Sequence, residues 1–515
     1  MQTNTQALID MKESGIKIIS SQDMKALELN SSYLGVSTLQ LMENAGAEVA
    51  RFVSSRFDPK KAKVMIFAGI GGNGGDGFVA ARHLASRDFN TTVVLIGSPD
   101  EIKNPAAKTN WNALSRMTRS VRVQISPDSK LIPDPKGEVI IDALLGTSSS
   151  GPLRTPILEA VEKINQMKSF LVAIDCPTGL NADSGSVENV AVKADMTITF
   201  HRAKSGLMKA RKYIGELVEV SIGIPPEAEL FVGPGDLYLA ARRRKKTSHK
   251  GDNGRLLVVG GSETFIGAPA LVATAALRTG IDLAYVATPE KVAHDISSMS
   301  PDLITIKLEG KNLSSRALSA IEAALSKVDA VVIGPGLGLE RETVDAVEKI
   351  VRMVEDRGVP MLLDADGLKA FANVKRRLKV PLVCTPHIKE YEMLAGTSPP
   401  DEIMSKAEHV RKEAKKLGAV ILLKGPVDII SDGISVRFNF TGNPGMTVGG
   451  TGDTLSGIVG AFLSQGNEPL KAATAGAFVN GVAGDLVAAE KGYHLVASDI
   501  VEKIPKAIED ALSCL

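Results

Sequence analysis

Gly442-Asn-Pro-Gly-Met-Thr-Val-Gly-Gly-Thr-Gly-Asp-Thr-Leu-Ser456 is the stretch that decides how the second half of this chain is read. Its glycines and proline give way to an apolar run of helical character. Glycine lets backbone N–H groups approach an anion closely. The first turn of the following helix adds unpaired donors and the positive end of its dipole. Together these describe a phosphate cradle, formed by Gly449, Gly450, Thr451 and Gly452. Asp453, on that first turn, would repel a bound phosphate. It makes chemical sense as a base that takes a proton from an alcohol attacking phosphorus. The plainer alternative is a glycine-rich turn with Asp453 as a helix cap.

Outward from this loop, short apolar runs alternate with helical stretches. Strands are expected over residues 255–261, 283–288, 303–308, 330–334, 361–364, 382–385 and 420–424. A hairpin is expected around Asp432-Gly433, and Gly/Ala-rich helices from Asp453 and from Pro469. The first half repeats the rhythm over 63–69, 91–98, 138–146, 170–175, 196–201 and 217–222. Leu41, Ala45, Val49 and Phe52 fall at helical spacing ahead of it. Continuous apolar runs alternating with helices predict parallel sheets covered on both faces. A composition break over 237–253, containing the basic run Arg242-Arg-Arg-Lys-Lys246, is read as a solvated linker. It sets expected domains of 1–238 and 239–515.

The bulk numbers agree. A chain of 515 residues accommodates two to four domains at roughly 100–200 residues each. Hydrophobic residues at 44% supply large cores, and a net charge of +1 gives no sign of a nucleic-acid partner. Cys176, Cys384 and Cys514 have no paired spacing, which suits a reducing cytoplasm rather than a disulfide or zinc framework. No signal-peptide core is present, and no apolar run reaches the roughly 20 residues of a membrane span. A cytoplasmic enzyme with no membrane contact is expected, assembled as a homo-oligomer although no residue specifies the assembly.

A second glycine loop, Gly69-Ile-Gly-Gly-Asn-Gly-Gly-Asp-Gly77, follows a strand and opens a helix. Two further strand ends, Asp142-Ala-Leu-Leu-Gly-Thr147 and Asp175-Cys-Pro-Thr-Gly179, converge on the same crevice if the sheet is doubly wound. Carboxylate, hydroxyl and amide oxygens there suit a hard cation. The nearby proline is expected to keep Asp175 extended; capping of loops is the bland reading of both aspartates.

The loop at 442–456 resembles the signature of the ribokinase-like superfamily. Ser248-His-Lys-Gly, Gly260-Gly-Ser, Gly267-Ala-Pro, Gly334-Pro-Gly-Leu-Gly338, Leu363-Asp-Ala-Asp-Gly-Leu368, Thr385-Pro-His387 and Lys424-Gly425 narrow the likeness to nucleotide-dependent NAD(P)H-hydrate dehydratases over 240–515. Met42-Glu-Asn-Ala-Gly46, Gly72-Asn-Gly-Gly-Asp76, Asp142 to Thr147, Ser150-Gly-Pro-Leu-Arg154 and Asp175 to Gly179 resemble the NAD(P)H-hydrate epimerases over 15–235. The resemblance implies a Rossmann-like three-layer α/β/α domain followed by a ribokinase-like α/β domain. In the second, it implies hydrate contacts from Ala268, Gly336, His387 and Asp453. Adenine-nucleotide contacts would come from Lys424, Gly425 and Gly449 to Gly452, with ADP as co-substrate and Mg²⁺ on the phosphates. In the first, it implies K⁺ on Asn73, Asp142 and Thr178. Hydrate contacts there would come from Gly72, Asn73, Gly74, Gly75 and Asp76, from Gly146, Thr147, Ser148, Ser149, Ser150, Gly151 and Pro152, and from Asp175, which would move the proton. NADHX and NADPHX are the implied substrates. Gly72 stands where the epimerases usually have asparagine. Ile388-Lys389-Glu390 stands where the dehydratases usually have Pro-Gly-Glu. Asp364 and Asp366 end a strand and suit either a metal or a helix cap.

Two readings of other classes stay open at this stage. The first half resembles part of an mRNA-decapping scaffold, so it reads also as a non-catalytic ligand- or RNA-binding module. Asp142, Asp175 and the glycine loop argue against that. The second half reads also as a small-alcohol kinase of vitamin-precursor metabolism.

Overall fold

A computed structural model describes residues 18–147, 149–374 and 376–513. Ser148 and Cys514 therefore lie outside the described residues. The chain divides into two compact units that meet in sequence at Pro225 and Pro226. The division precedes the basic run. The helix Pro234–Ala240 already buries Leu237 and Ala240 in the core of the second unit. Phe231 bridges to Phe438 there.

In the first unit seven strands form one sheet: β1 (Lys63–Ala68), β2 (Asn90–Ile96), β3 (Val121–Ser126), β4 (Val139–Ala143), β5 (Phe170–Ile174), β6 (Met196–Phe200) and β7 (Glu216–Val220). Their spatial order is β3-β2-β1-β4-β5-β6-β7, all parallel. This is the doubly wound order in which ligands bind where the winding reverses, outside the ends of the first and fourth strands. A short parallel pair, Ile18–Ile19 with Ala203–Lys204, stands apart from the sheet.

The second unit repeats the wiring. Its strands are β8 (Arg255–Val259), β9 (Leu283–Pro289), β10 (Ile304–Leu308), β11 (Ala330–Ile333), β12 (Met361–Leu363), β13 (Leu382–Cys384), β14 (Val420–Leu423), β15 (Asp428–Ser431) and β16 (Val436–Asn439). Their order is β10-β9-β8-β11-β12-β13-β14-β15-β16, parallel up to β14 and closed by the antiparallel hairpin β15–β16. Successive side chains of one strand serve opposite cores. Leu256 and Val258 face the helices Gly267–Thr279, Thr451–Ser464 and Pro469–Lys491. Leu257 and Val259 face the layer containing the helix Arg341–Asp356.

Strand β3 was not anticipated. Val121-Arg-Val-Gln-Ile-Ser126 alternates apolar and polar residues because it is the sheet's edge and is exposed over its middle, so it lacks the continuous apolar signal of the buried strands. The helices Ser21–Tyr33 and Ala497–Ser513 were also unforeseen. Contrary to the sequence expectation, one helix, Pro469–Lys491, is long and apolar enough to cross a membrane, but 72% of its most apolar window is buried. It is a core helix built from Ala and Gly.

Candidate functional sites

At the first switch point, the glycine loop serves two purposes. A Cβ at Gly74 would lie 1.9 Å from the Gly69 carbonyl oxygen, one at Gly75 would lie 2.6 Å from Met42 Sδ, and one at Gly77 2.7 Å from the Ala143 Cβ. These three glycines let the helix Gly72–Ala85 settle onto β1, β4 and the helix Thr38–Arg56. Gly71 has open space around it, and Gly72 meets only Asn104 Nδ2, at 3.9 Å. Of the expected ligand glycines, Gly72 is open to a ligand while Gly74 and Gly75 are buried packing residues.

The expected residues Asn73, Asp142 and Thr178 adjoin: Asn73 and Thr178 both reach the Leu145 carbonyl, and Thr178 also binds Asp142. Asn73 Nδ2 donates to Leu145 O at 3.1 Å. Thr178 Oγ1 lies 2.7 Å from Asp142 Oδ1 and 3.3 Å from Leu145 O. The Thr178 amide donates to Asp142 Oδ2 and the Leu144 amide to Oδ1. Asp142 is buried and its partners are a hydroxyl and backbone amides; burial pushes its pKa up to about 6. A carboxylate, a hydroxyl, a side-chain amide and a carbonyl in one buried place form a donor set that suits a monovalent cation. Asp142 is the one carboxylate among these four groups, the others being neutral oxygen donors. Gly146 borders this site: a Cβ there would stand 3.4 Å from Asn73. Ser149 donates to the Gly146 carbonyl, and Ser149, Ser150 and Gly151 line a depression with Gly179 and Asn181. Thr147 is half-buried, and Pro152 is exposed beside them.

Asp175 is not extended. Its backbone is left-handed, φ 63°, a conformation that costs a non-glycine residue about 1–3 kcal/mol. The proline restriction falls on Cys176, the residue directly before Pro177, and leaves Asp175 unconstrained. What holds Asp175 is a residue that sequence reasoning missed. Lys204, with 0% of its side chain exposed, donates to Asp175 Oδ1 at 2.6 Å. Two more carboxyls face the pair. Burial, with the Asp175 and Glu28 charges, pushes Asp76 well above the ordinary carboxylate range; burial likewise raises Glu28. Nothing in the local sequence around Lys204 or Glu28 marks either residue.

At the second switch point the helix Thr451–Ser464 begins after Gly450, which is left-handed at φ 94° and makes no side-chain cap. Gly449 has open space where a Cβ would be. The Thr451 hydroxyl is used within the loop, donating to Met446 O. The Asp453 carboxyl, on the first turn of that helix, has no hydrogen bond to any described residue. Burial, then the Asp364 carboxylate, push its pKa up to about 7 against the pull of Lys424.

Asp364 stands at the N-cap of the helix Ala365–Ala372, but its side chain makes no cap hydrogen bond. Lys424 Nζ donates to its Oδ1 at 2.9 Å and Ser456 Oγ to its Oδ2 at 2.8 Å. That pair aims the ammonium at the loop: a Cβ at Gly452 would lie 3.3 Å from Lys424 Nζ. Burial opposes the ammonium, but Asp364, Glu390 and Asp453 raise its pKa overall. Asp366 accepts from the Gly338 amide and pairs with Lys369. Gly425 is exposed, with its amide given to Asp428. Gly336, left-handed at φ 68°, approaches Ala268 and Phe265. His387 Nδ1 caps the helix Ile388–Ala395 by accepting from the Lys389 and Glu390 amides. Its Nε2 stands 3.3 Å from Glu390 Oε1.

Each unit is thus an α/β domain of the doubly wound class, with a glycine loop at its switch point and an aspartate beside it, Asp175 held by Lys204 in the first and Asp453 without a side-chain hydrogen bond in the second. Residues 256–506 match the family described as NAD(P)H-hydrate dehydratase, and residues 38–206 match that described as YjeF-related protein N-terminus. The chain is 45% identical to the bifunctional NAD(P)H-hydrate repair enzyme Nnr of Pyrobaculum aerophilum, over 95% of this chain and 98% of that one. It is 43% identical to the Nnr of Hyperthermus butylicus, over 96% and 93%. A solved structure, the ADP/ATP-dependent NAD(P)H-hydrate dehydratase of Bacillus subtilis, is similar to 54% of this chain over 97% of its own length, with 27% identity and a TM-score of 0.46. The chain belongs to the bifunctional NAD(P)H-hydrate repair enzymes.

Proposed function

We propose that the unit ending at Pro225 interconverts R- and S-NADHX and NADPHX, and that the unit from Pro226 dehydrates the S epimer with ADP. The observation that carries the second assignment is Asp453: a carboxyl without a hydrogen bond, with a pKa of about 7, on the first turn of a helix behind an open glycine. Such a group accepts a proton at neutral pH, where an ordinary carboxylate is too weak a base. The hydroxyl on carbon 6 of the hydrate loses its proton to Asp453 and attacks the terminal phosphorus of ADP. AMP leaves. The amides of residues 449–452 and the Lys424 ammonium hold the phosphoryl oxygens through that step. The C–O bond then breaks with the ring nitrogen lone pair pushing, phosphate departs, and loss of a proton from carbon 5 restores the double bond. The products are NAD(P)H, AMP and phosphate.

Asp364 is tied to Lys424 and Ser456, so Mg²⁺ in this unit would be held chiefly by the nucleotide phosphates, whose charge it would screen. In the first unit Asn73, Asp142, Thr178 and the Leu145 carbonyl would hold K⁺, which would supply positive charge beside the open Gly71 and Gly72. Asp175 would move the proton in epimerisation. His387, Ala268 and Gly336 would border the hydrate in the second unit.

The test is a mixture of R- and S-NADHX given to the protein with K⁺, Mg²⁺ and ADP, followed by the absorbance of regenerated NADH. Full recovery is expected. Recovery of the S share alone would remove the epimerase assignment, and a phosphorylated product without free phosphate would favour a kinase.

A further inference from the structure

We propose that Lys204 is a positioning residue for the epimerisation assigned to the first unit, and that Asp175 takes and returns the proton through Oδ2 alone. The inference rests on that assignment and names the atom that performs it. An ammonium has three donors. Those of Lys204 go to Asp175 Oδ1 at 2.6 Å, to Thr199 Oγ1 at 3.1 Å and to the Phe200 carbonyl at 3.0 Å. With every donor used inside the protein and the side chain fully buried, none is left for a substrate. Lys204 therefore acts on the reaction only through the carboxylate it holds. A buried ammonium is costly without a partner.

Asp175 shows the other half of the arrangement. Among the described residues its Oδ1 collects the side chain's hydrogen bonds, from Lys204, from Thr199 Oγ1 at 3.3 Å and from the Phe200 amide at 3.4 Å. Oδ2 has none from any described residue, and 13% of the side chain remains exposed. One oxygen is anchored and its twin is left to the crevice. The remaining charged groups that face the pair are Glu28, with Lys25 beside it, and Asp76, on two different helices. Lys204 donates to neither of these carboxyls.

The experiment follows conversion of pure R-NADHX to the S epimer by chromatography, with K⁺ and no ADP, so that the second unit stays silent. If the unchanged protein produces no S epimer, the epimerase assignment itself falls. Given that activity, Lys204→Met should lower kcat about 100-fold with KM within a few-fold, as loss of an oriented proton-transfer group does. Asp175→Asn with Lys204→Met should be no worse than Asp175→Asn alone. Thr199→Val keeps the lysine and covers the case in which Lys204→Met fails to fold; it should lower kcat less, and its effect too should vanish beside Asp175→Asn. Losses that multiply in the double variants, or a raised KM at unchanged kcat, would overturn the proposal.

Discussion

The two units share one winding order and pair a lysine with an aspartate at the crevice, yet they use that pair in opposite ways. In the first, Lys204 is wholly consumed in anchoring Asp175, the carboxylate proposed to react. In the second, Asp364 is consumed in anchoring Lys424, and the proposed reactive carboxyl, Asp453, is left unpaired. The difference follows from the substrates. A phosphoryl group brings negative charge that needs a cation aimed at it. Epimerisation at a carbinolamine brings none to the reacting carbon, so the cation is spent on the base.

The sharpest way to break this comparison is at Asp453. Asp453→Asn should reduce NADH formation from S-NADHX by roughly 10³-fold while leaving R-to-S conversion untouched. Lys424→Met strands the buried Asp364 carboxylate, and thermal unfolding should show a loss of about 3 kcal/mol confined to the second unit, with ADP turnover lost as well. A smaller effect separates the units by pH. Asp453 must be ionised to accept a proton, so dehydration should fall as pH drops through about 7. Asp142 must be ionised to attract a cation, so K⁺ affinity, read by thermal stabilisation, should fall as pH drops through about 6. The smallest effects sharpen the reading of the glycine loop. Gly74→Ala drives a Cβ into the Gly69 carbonyl and should cost about 1–3 kcal/mol. Gly72→Asn enters open space and should change stability by less than about 0.5 kcal/mol, its consequence appearing in hydrate affinity instead.

What was legible in the sequence was what repeats locally. Buried parallel strands are continuous apolar runs, so β1, β2, β4 to β6, β8 and β11 to β14 could be read; the edges β7 and β10 carry enough apolar residues to be read too, whereas edge strand β3, with Arg122 and Gln124 in its middle, could not. Phosphate loops are dense in glycine, and both stood out. Partners brought together by folding left no local trace. Lys204 meets Asp175 across 29 positions, and Lys424 meets Asp364 across 60. Glycine content does not separate roles either: Gly72 has room where a Cβ would be, while Gly74 and Gly75, alike in sequence, are packed against Gly69 and Met42. Asp364 and His387 show that local sequence leaves partners unread: Asp364 binds Lys424 across the sheet, and the His387 ring caps the helix Ile388–Ala395.

The most direct measurement gives pure R-NADHX to the Asp453→Asn chain with K⁺, Mg²⁺ and ADP and separates the products with time. Two independent carboxyl sites require that the S epimer accumulate while no NADH forms beyond the buffer control. NADH appearing at the unchanged protein's rate, or R-NADHX persisting unconverted, would contradict the division of labour between Asp175 and Asp453.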